Sequence, residues 1–314
     1  MPKEPFDAEA FIGEKIRELQ EEIGGERALV AVSGGVDSMT TAVLGSRAIG
    51  DRLLAVFLDD GLMREKEGDQ VSKILRKLGV RVEVKSVSKK FFEALKGRTD
   101  PEEKRKAFRE TFYSCLSEIA REKKIGILLQ GTIAADVVET KGGVKTQHNV
   151  LEQVGINPLE RYGYRVLEPL KELYKPQVRE VARKLGLPPE VTERRPFPGP
   201  GLSIRVLGEV TPEKVELVRK ATKIVEEETK EISCFQTFAV LMSDQGTGVV
   251  KGKRRYGKII VLRVVASEDA MTAQPVELPW EILRRITERL TSELGVVRVL
   301  YDLTPKPPAT IEFE

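Results

Sequence analysis

Val30 to Met39 read VAVSGGVDSM, an apolar run that stops abruptly within a serine, two glycines and an aspartate. Residues 28–32, ALVAV, are apolar at every position, as a strand covered by helices on both faces must be. Such a strand belongs near the centre of a parallel sheet. The small residues after it leave successive backbone N–H groups free to converge at the start of the next helix, whose dipole adds positive potential. The arrangement is an anion cradle. Gly34 and Gly35 permit close backbone approach, and Ser33 and Ser38 can donate hydroxyls to the same anion. Asp37 is the odd member: a carboxylate beside a phosphate repels it unless a divalent cation lies between, so the motif implies Mg²⁺. The simpler alternative is a glycine turn with Asp37 as a helix N-cap. The stretch lacks the GK[ST] of a Walker loop, and GxGxxG is absent.

Working outward, Ile12, Ile16, Leu19 and Ile23 recur at helical spacing before Gly24 and Gly25, which predicts an opening amphipathic helix. Strand and helix then alternate: LLAVFL at 53–58, a helix near 65–78, VRVEVKSV at 80–87, a long helix near 101–122 and IGILLQGT at 125–132. That alternation marks a doubly wound parallel sheet of the α/β class. Residues 140–163 combine glycines and polar groups without a sustained period and read as a mobile lid. The stretch 168–190 reads as a closing helix, and RRPFPGPGL at 194–202 breaks regular structure. A boundary placed there gives a first domain over 1–193 and a second over 194–314. In the second, Pro212 opens a helix with Val215, Val218, Ala221 and Val225 on one face, and Leu283, Ile286, Leu290 and Leu294 line another. With KIIVLRVV and VVRVLYDL as strands, this domain is α+β.

The chain has 314 residues, and its formal charge of +3 is the remainder of 52 bases and 49 acids that are well mixed along it, so no nucleic-acid stripe stands out. No apolar run approaches the roughly 20 residues of a membrane span, and the N-terminus lacks a signal-like apolar core, so the expected location is cytoplasmic. Cys115 and Cys234 belong to no CxxC or Cys/His cluster and read as structural residues rather than a disulfide or zinc site.

SGGVDS at 33–38 resembles the pyrophosphate loop of the ATP pyrophosphatases, which split ATP between its α- and β-phosphates and adenylate a substrate. VFLDDGLMR (56–64), DPEEKRKAF (100–108), QGTIAADVVET (130–140), KTQHNV (145–150), EPLKELYK (168–175), RPFPGPGLSIRVLGEV (195–210) and YDLTPKPPATIEFE (301–314) resemble, in order, the synthetase portion of the GMP synthases. Asp60 and Gln147 depart from an asparagine and a histidine associated with bacterial forms.

The resemblance implies an adenine nucleotide alpha-hydrolase-like sheet followed by a C-terminal α+β dimerisation domain, with KIIVLRVV a candidate contact of a homodimer. It implies a ligase that makes GMP from xanthosine 5′-monophosphate (XMP), ATP and ammonia through adenylated XMP. The ATP contacts would be Val32, Ser33, Gly34, Gly35, Val36, Asp37, Ser38, Asp59, Gly61 and Gly131. Asp37, Asp136 and Glu139 would hold Mg²⁺, and Lys145 and His148 would act from the lid. On spacing alone, Asp136 and Glu139 read equally as a solvated acidic turn. XMP would draw on Arg105, on Pro196, Phe197, Pro198, Gly199, Pro200 and Gly201, and on Lys306, Thr310, Ile311 and Glu312. Without the resemblance, the proline-rich run reads as a linker and the C-terminal segment as a fraying end. If that segment reaches a site, its deletion should abolish turnover and leave the remainder folded. A glutaminase needs a cysteine nucleophile and a histidine base, which this chain cannot supply, so ammonia is expected from a separate glutamine amidotransferase subunit. The alternatives are another adenylating synthetase such as NAD synthetase, a nucleotide-binding subunit without turnover, and an RNA-binding protein.

Overall fold

The computed structural model of the chain describes residues 6–136, 157–250, 252–268 and 270–314. These fall into two compact units, one of residues 6–60, 66–87, 109–136 and 157–194, the other of residues 61–65, 88–108, 195–250, 252–268 and 270–314.

In the first unit, helix α1 (Ala8–Ile23) starts at Asp7, whose carboxylate accepts from the N–H groups of Glu9 and Ala10, and stops at Gly24. It buries Ala8, Ile12, Leu19 and Ile23, the stripe that the spacing predicts save for a half-buried Ile16. Strand β1 (Ala28–Ala31) leads into α2 (Val36–Ile49), β2 (Leu53–Asp59), α3 (Glu67–Lys77) and β3 (Val82–Ser86). The chain then visits the second unit through α4 (Ser88–Leu95) and the start of α5 (Pro101–Lys123). Back in the first come β4 (Ile127–Leu129), α6 (Pro158–Tyr162), β5 (Arg165–Leu167), α7 (Lys175–Lys184) and α8 (Pro189–Thr192). The five strands form one sheet in the order β3-β2-β1-β4-β5, and every pairing is parallel. The apolar run at 28–32 thus lies in the middle strand, with Ala28, Leu29 and Val30 fully buried. Helix α2 packs against β1, β2 and β4, and α3 against β2 and β3.

One expectation is corrected here. The last residues of the stretch read as a mobile lid are an ordered, partly buried element. Asn157 caps α6 by accepting from Leu159 and Glu160 N–H, and Pro158 supplies a preset first turn. Tyr162 is buried between the rings of Tyr113 and Tyr164, at centroid distances of 5.5 and 6.0 Å. The remainder of that stretch, with Lys145 and His148, lies outside the described residues, as does Glu139.

In the second unit, α9 (Pro212–Glu228) begins at Thr211, whose hydroxyl accepts from Lys214 N–H, and buries Val215, Val218, Ala221 and Val225. It is followed by β6 (Gln236–Val250), β7 (Lys253–Ala266), β8 (Gln274–Pro275), α10 (Trp280–Leu294) and β9 (Arg298–Tyr301). β6 and β7 form a long antiparallel hairpin. The other edge of β7 pairs with β9 in parallel and with β8 in antiparallel. This overturns KIIVLRVV as a homodimer contact. Residues 258–265 lie in a strand paired along both edges, and Ile260, Val261, Leu262, Val264 and Val265 are buried. An apolar run of that kind is the middle of a sheet rather than a free face.

Candidate active site

The Ser33–Ser38 loop joins the C-terminal end of β1 to α2, at the edge where open parallel sheets bind ligands. Val32 N–H donates to the Val56 carbonyl (2.9 Å), so the strand stays in the sheet up to the loop. The turn then closes on itself. Ser33 N–H donates to Ser38 Oγ (3.2 Å), the two hydroxyls lie 3.2 Å apart, and Ser38 Oγ donates to the Gly35 carbonyl (3.1 Å). Gly35 is the N-cap of α2, and no side chain caps that end. The first N–H groups of α2 therefore have no intrahelical acceptor and meet the positive end of the dipole, which is the physical basis of an anion site.

Asp37 sits in the first turn of α2 with about a quarter of its side chain accessible, 24%. Both its oxygens face Lys175, the first residue of α7, at 2.9 and 2.6 Å from Nζ. Burial holds the Asp37 carboxyl above the usual carboxylate range; Lys175 pulls it down, and the charge of Asp136 raises it further. The structure therefore brings Asp37 and Asp136 into one electrostatic neighbourhood. Asp136 ends the described part of a helical turn, and its Oδ2 accepts from Ile133 N–H (3.1 Å). Two carboxylates that repel one another beside hydroxyl groups are a donor set of hard oxygens suited to Mg²⁺. Among the described residues, no group of three or more His, Cys, Asp or Glu side chains converges.

Gly131 owes its identity to this corner. A Cβ there would stand 2.9 Å from the Asp37 carbonyl carbon and from Ser38 N, so only glycine lets the chain after β4 lie against the first turn of α2. Asp59 is exposed at the C-terminal end of β2. Gly61 belongs to the second unit, where its carbonyl accepts from Arg219.

The residues expected to bind XMP all lie in the second unit. Phe197 has the Arg64 guanidinium 4.3 Å and that of Arg205 5.0 Å from its ring centre. Gly201 has φ +61°, and a Cβ there would lie 2.6 Å from the Leu62 carbonyl oxygen; Leu202 N–H donates to that same oxygen at 2.8 Å. The proline-rich run is thus a fixed turn. Pro196 lends its carbonyl to Gln236 (3.3 Å), and Pro200 lends its own to the Ser203 hydroxyl (2.7 Å).

The C-terminal segment does not fray. Glu312 accepts from Arg205 through both oxygens, at 3.0 and 2.9 Å, and Arg205 is fully buried. Buried Arg263 donates to the carbonyls of Thr304 (2.6 Å), Thr310 (2.9 Å) and Ile311 (3.4 Å). Lys306 is tied through Nζ to the Ala270 carbonyl (2.7 Å) and through its backbone to Ala273. Arg105 donates to the Glu314 carbonyl. The fully buried Lys104 meets the Glu314 carboxylate and, at 2.8 Å, the Val206 carbonyl; burial pushes its ammonium below the usual lysine range while Glu314 opposes that shift.

Sequence reasoning missed Lys175, Glu67, Arg194, Arg205 and Arg263. Four of them stand inside quoted stretches, Lys175 at the end of EPLKELYK, Arg194 at the head of RRPFPGPGL, Arg205 within RPFPGPGLSIRVLGEV and Arg263 within KIIVLRVV, and those stretches were the available signal.

Comparison with known proteins bears on the whole chain. Residues 9–188 match the PP-loop domain family and residues 222–313 the GMP synthase C terminal domain family. One subunit of the glutamine-hydrolyzing GMP synthase of Methanopyrus kandleri is 52% identical, over 98% of this chain and 100% of its own length. The subunits of the same name from Archaeoglobus fulgidus and Methanocaldococcus jannaschii are each 50% identical, over 98% of this chain and 100% of their own. With a PP-loop at the head of a parallel sheet and such relatives matched from end to end, the chain belongs to the family of these GMP synthase subunits.

Proposed function

We propose that this chain makes GMP from XMP, ATP and ammonia, first adenylating the O2 oxygen of XMP with release of pyrophosphate, then letting ammonia displace AMP at C2. The observation that carries the reading is the end-to-end match at 52% and 50% identity to subunits of GMP synthases, with the SGGVDS loop at the uncapped start of α2. The β- and γ-phosphates of ATP sit against the N–H groups of 35–38 and the hydroxyls of Ser33 and Ser38, which stabilise the departing pyrophosphate by fixed dipoles. Asp37 and Asp136 hold Mg²⁺ in this reading, with Glu139 as a third donor; when bound, the cation neutralises phosphate charge. Lys175 shares Asp37 with that cation, and supplies the counter-charge in its absence. Asp59 and Gly131 are further nucleotide contacts in this reading; the family resemblance also assigns Gly61 to the nucleotide, and Lys145 and His148, outside the described residues, to the reaction.

XMP binds to the second unit through Arg105, the Pro196–Gly201 turn and Lys306, Thr310, Ile311 and Glu312. The fixed turn and the pinned C-terminal segment support this, because preordered groups lose little entropy on binding. In chain order the domains are a synthetase domain over 1–193 and an XMP-binding and dimerisation domain over 194–314, although residues 61–65 and 88–108, Arg105 among them, fold with the second unit. Exposed apolar side chains of the second unit, Val249, Tyr256, Trp280, Leu300 and Leu303 among them, support a homodimer. The relatives are named as subunits of a glutamine-hydrolyzing enzyme, which supports a separate glutaminase as the ammonia donor. No helix among the described residues is long and apolar enough to cross a membrane, and we place the enzyme in the cytoplasm.

The test is an assay of the chain alone with ATP and Mg²⁺. Pyrophosphate should appear when XMP is added, and GMP when ammonium follows, with no GMP from glutamine. Pyrophosphate release driven by nicotinate adenine dinucleotide in place of XMP would favour the NAD synthetase reading, and glutamine-dependent GMP from a pure sample would refute the separate glutaminase.

A further inference from the structure

The phosphate loop leans on an ion pair that lies outside it. Arg194 donates from Nη1 to the Gly34 carbonyl (3.2 Å) and from Nη2 to Glu67 Oε2 (2.7 Å), while Nη1 also meets Glu67 Oε1. Glu67 is the first residue of α3 and is 3% exposed. A carboxylate so buried is tolerated because a planar guanidinium answers both its oxygens. Gly34 has φ +82°, and a Cβ there would stand 2.8 Å from Arg194 Nη1 and 2.9 Å from Val71 Cγ2. The pair therefore occupies the space beside Gly34, and together with the positive φ it reserves this position for glycine.

A loop that binds an anion through backbone N–H groups must keep its carbonyl oxygens away from that anion. Of the loop carbonyls, Gly35's is engaged by the Ser38 hydroxyl and by Met39 N–H, while Gly34's is engaged by Arg194, 160 residues away in the chain. We infer that the Glu67–Arg194 pair is a positioning device for the phosphate loop: it fixes the Gly34 carbonyl and presets the Ser33–Ser38 backbone for pyrophosphate. The inference rests on the reading that this loop holds pyrophosphate. Glu67 balances the charge of Arg194, so the pair acts by orientation and not by attracting the anion.

The experiment measures binding of inorganic pyrophosphate with Mg²⁺ to the full chain by calorimetry, over a range of salt, together with the KM values for ATP and XMP. R194K keeps the charge but cannot serve Glu67 and Gly34 with one planar fork. It should weaken pyrophosphate binding and raise the ATP KM by about tenfold, the effect of losing a charge-assisted hydrogen bond. The XMP KM and the slope of affinity against salt should stay as in the wild type. E67Q, which keeps the shape of the side chain, should weaken binding too, and R194K/E67Q should be no worse than the weaker single variant, as for two groups acting as one. E67Q carries the test should R194K not fold. Wild-type affinity in both single variants would overturn the role of the pair. So would a changed salt slope in R194K, which would make Arg194 a direct phosphate ligand, or an equal rise in the XMP KM, which would make the pair merely structural. A wild-type chain that binds no pyrophosphate would sink the loop reading and the inference with it.

Discussion

Asp37 carries the tension of the site. It is drawn out of water beside Asp136, and Lys175 answers both its oxygens. A carboxylate raised by burial and by a neighbouring carboxylate gains from any cation that joins it, which suits the proposed role of sharing Mg²⁺ with phosphate. Removing the charge while keeping the shape separates these roles. Asp37→Asn should lower pyrophosphate release by about a hundredfold or more, the scale of losing a group that stabilises charge in the transition state. Thermal unfolding of the metal-free chain should change by about 1 kcal/mol or less, because Lys175, 41% exposed, can turn its ammonium to water and a pair of that exposure is worth little. Release that persists at the wild-type rate would remove Asp37 from the metal site.

At the scale of elements, the site depends on how closely the chain after β4 lies against the start of α2. Gly131→Ala places a methyl 2.9 Å from the backbone of Asp37 and Ser38, where no side chain can yield and a helix terminus must shift. The expected cost is about 2 kcal/mol of stability, read by denaturant unfolding, with a rise in the ATP KM larger than any change for XMP; a variant as stable and as active as the wild type would show that the corner is loose. Much of this element level was legible in the sequence. Residues 28–32 are apolar at every step because they form the middle strand, and the breaks at Ser33–Gly35 mark the turn. The alternation from 53 to 132 follows from the parallel sheet. What stayed hidden was hidden for physical reasons. The α6 helix is five residues long, too short to show a period, and is held by Asn157 and a stack of tyrosines. β6 carries SDQGTG across its outer half, so polar residues and glycines mask a 15-residue strand. Lys175 meets Asp37 across 138 residues and Arg194 meets Glu67 across 127; ion pairs that distant leave no local spacing to read. Arg205 and Arg263 look like surface cations in sequence, and only the packing shows that they are buried.

The C-terminal segment links motif reading to the integrity of the second unit. Residues 304–314 supply the Glu312 carboxylate to Arg205 and three carbonyls to Arg263, with the Glu314 carboxylate going to Lys104. Phe313 packs on the buried cluster of Phe238, Val240 and Val261. Deleting 304–314 would leave Arg205 with the faces of Phe197 and Phe238 but no carboxylate, and an unpaired buried guanidinium costs about 3–5 kcal/mol. Arg263 would keep Asp302, 3.0 Å away, and Lys104 would keep the Val206 carbonyl, so their losses are smaller. Summed with the exposed apolar surface, the loss is comparable with the roughly 5–15 kcal/mol that holds a whole domain together. These contacts argue against the remainder staying folded after deletion: the deleted chain should lose the cooperative unfolding transition of its second unit, seen by calorimetry as one transition fewer than in the full chain. Glu312→Gln is the milder probe. It keeps one of the two acceptors that Arg205 uses and removes the charge, so it should leave both transitions in place and raise the XMP KM. If the deleted chain melts like the full one, the segment is bound less tightly than its contacts with Arg205 and Arg263 imply; if it melts normally and no longer turns over XMP, its role lies in the site alone.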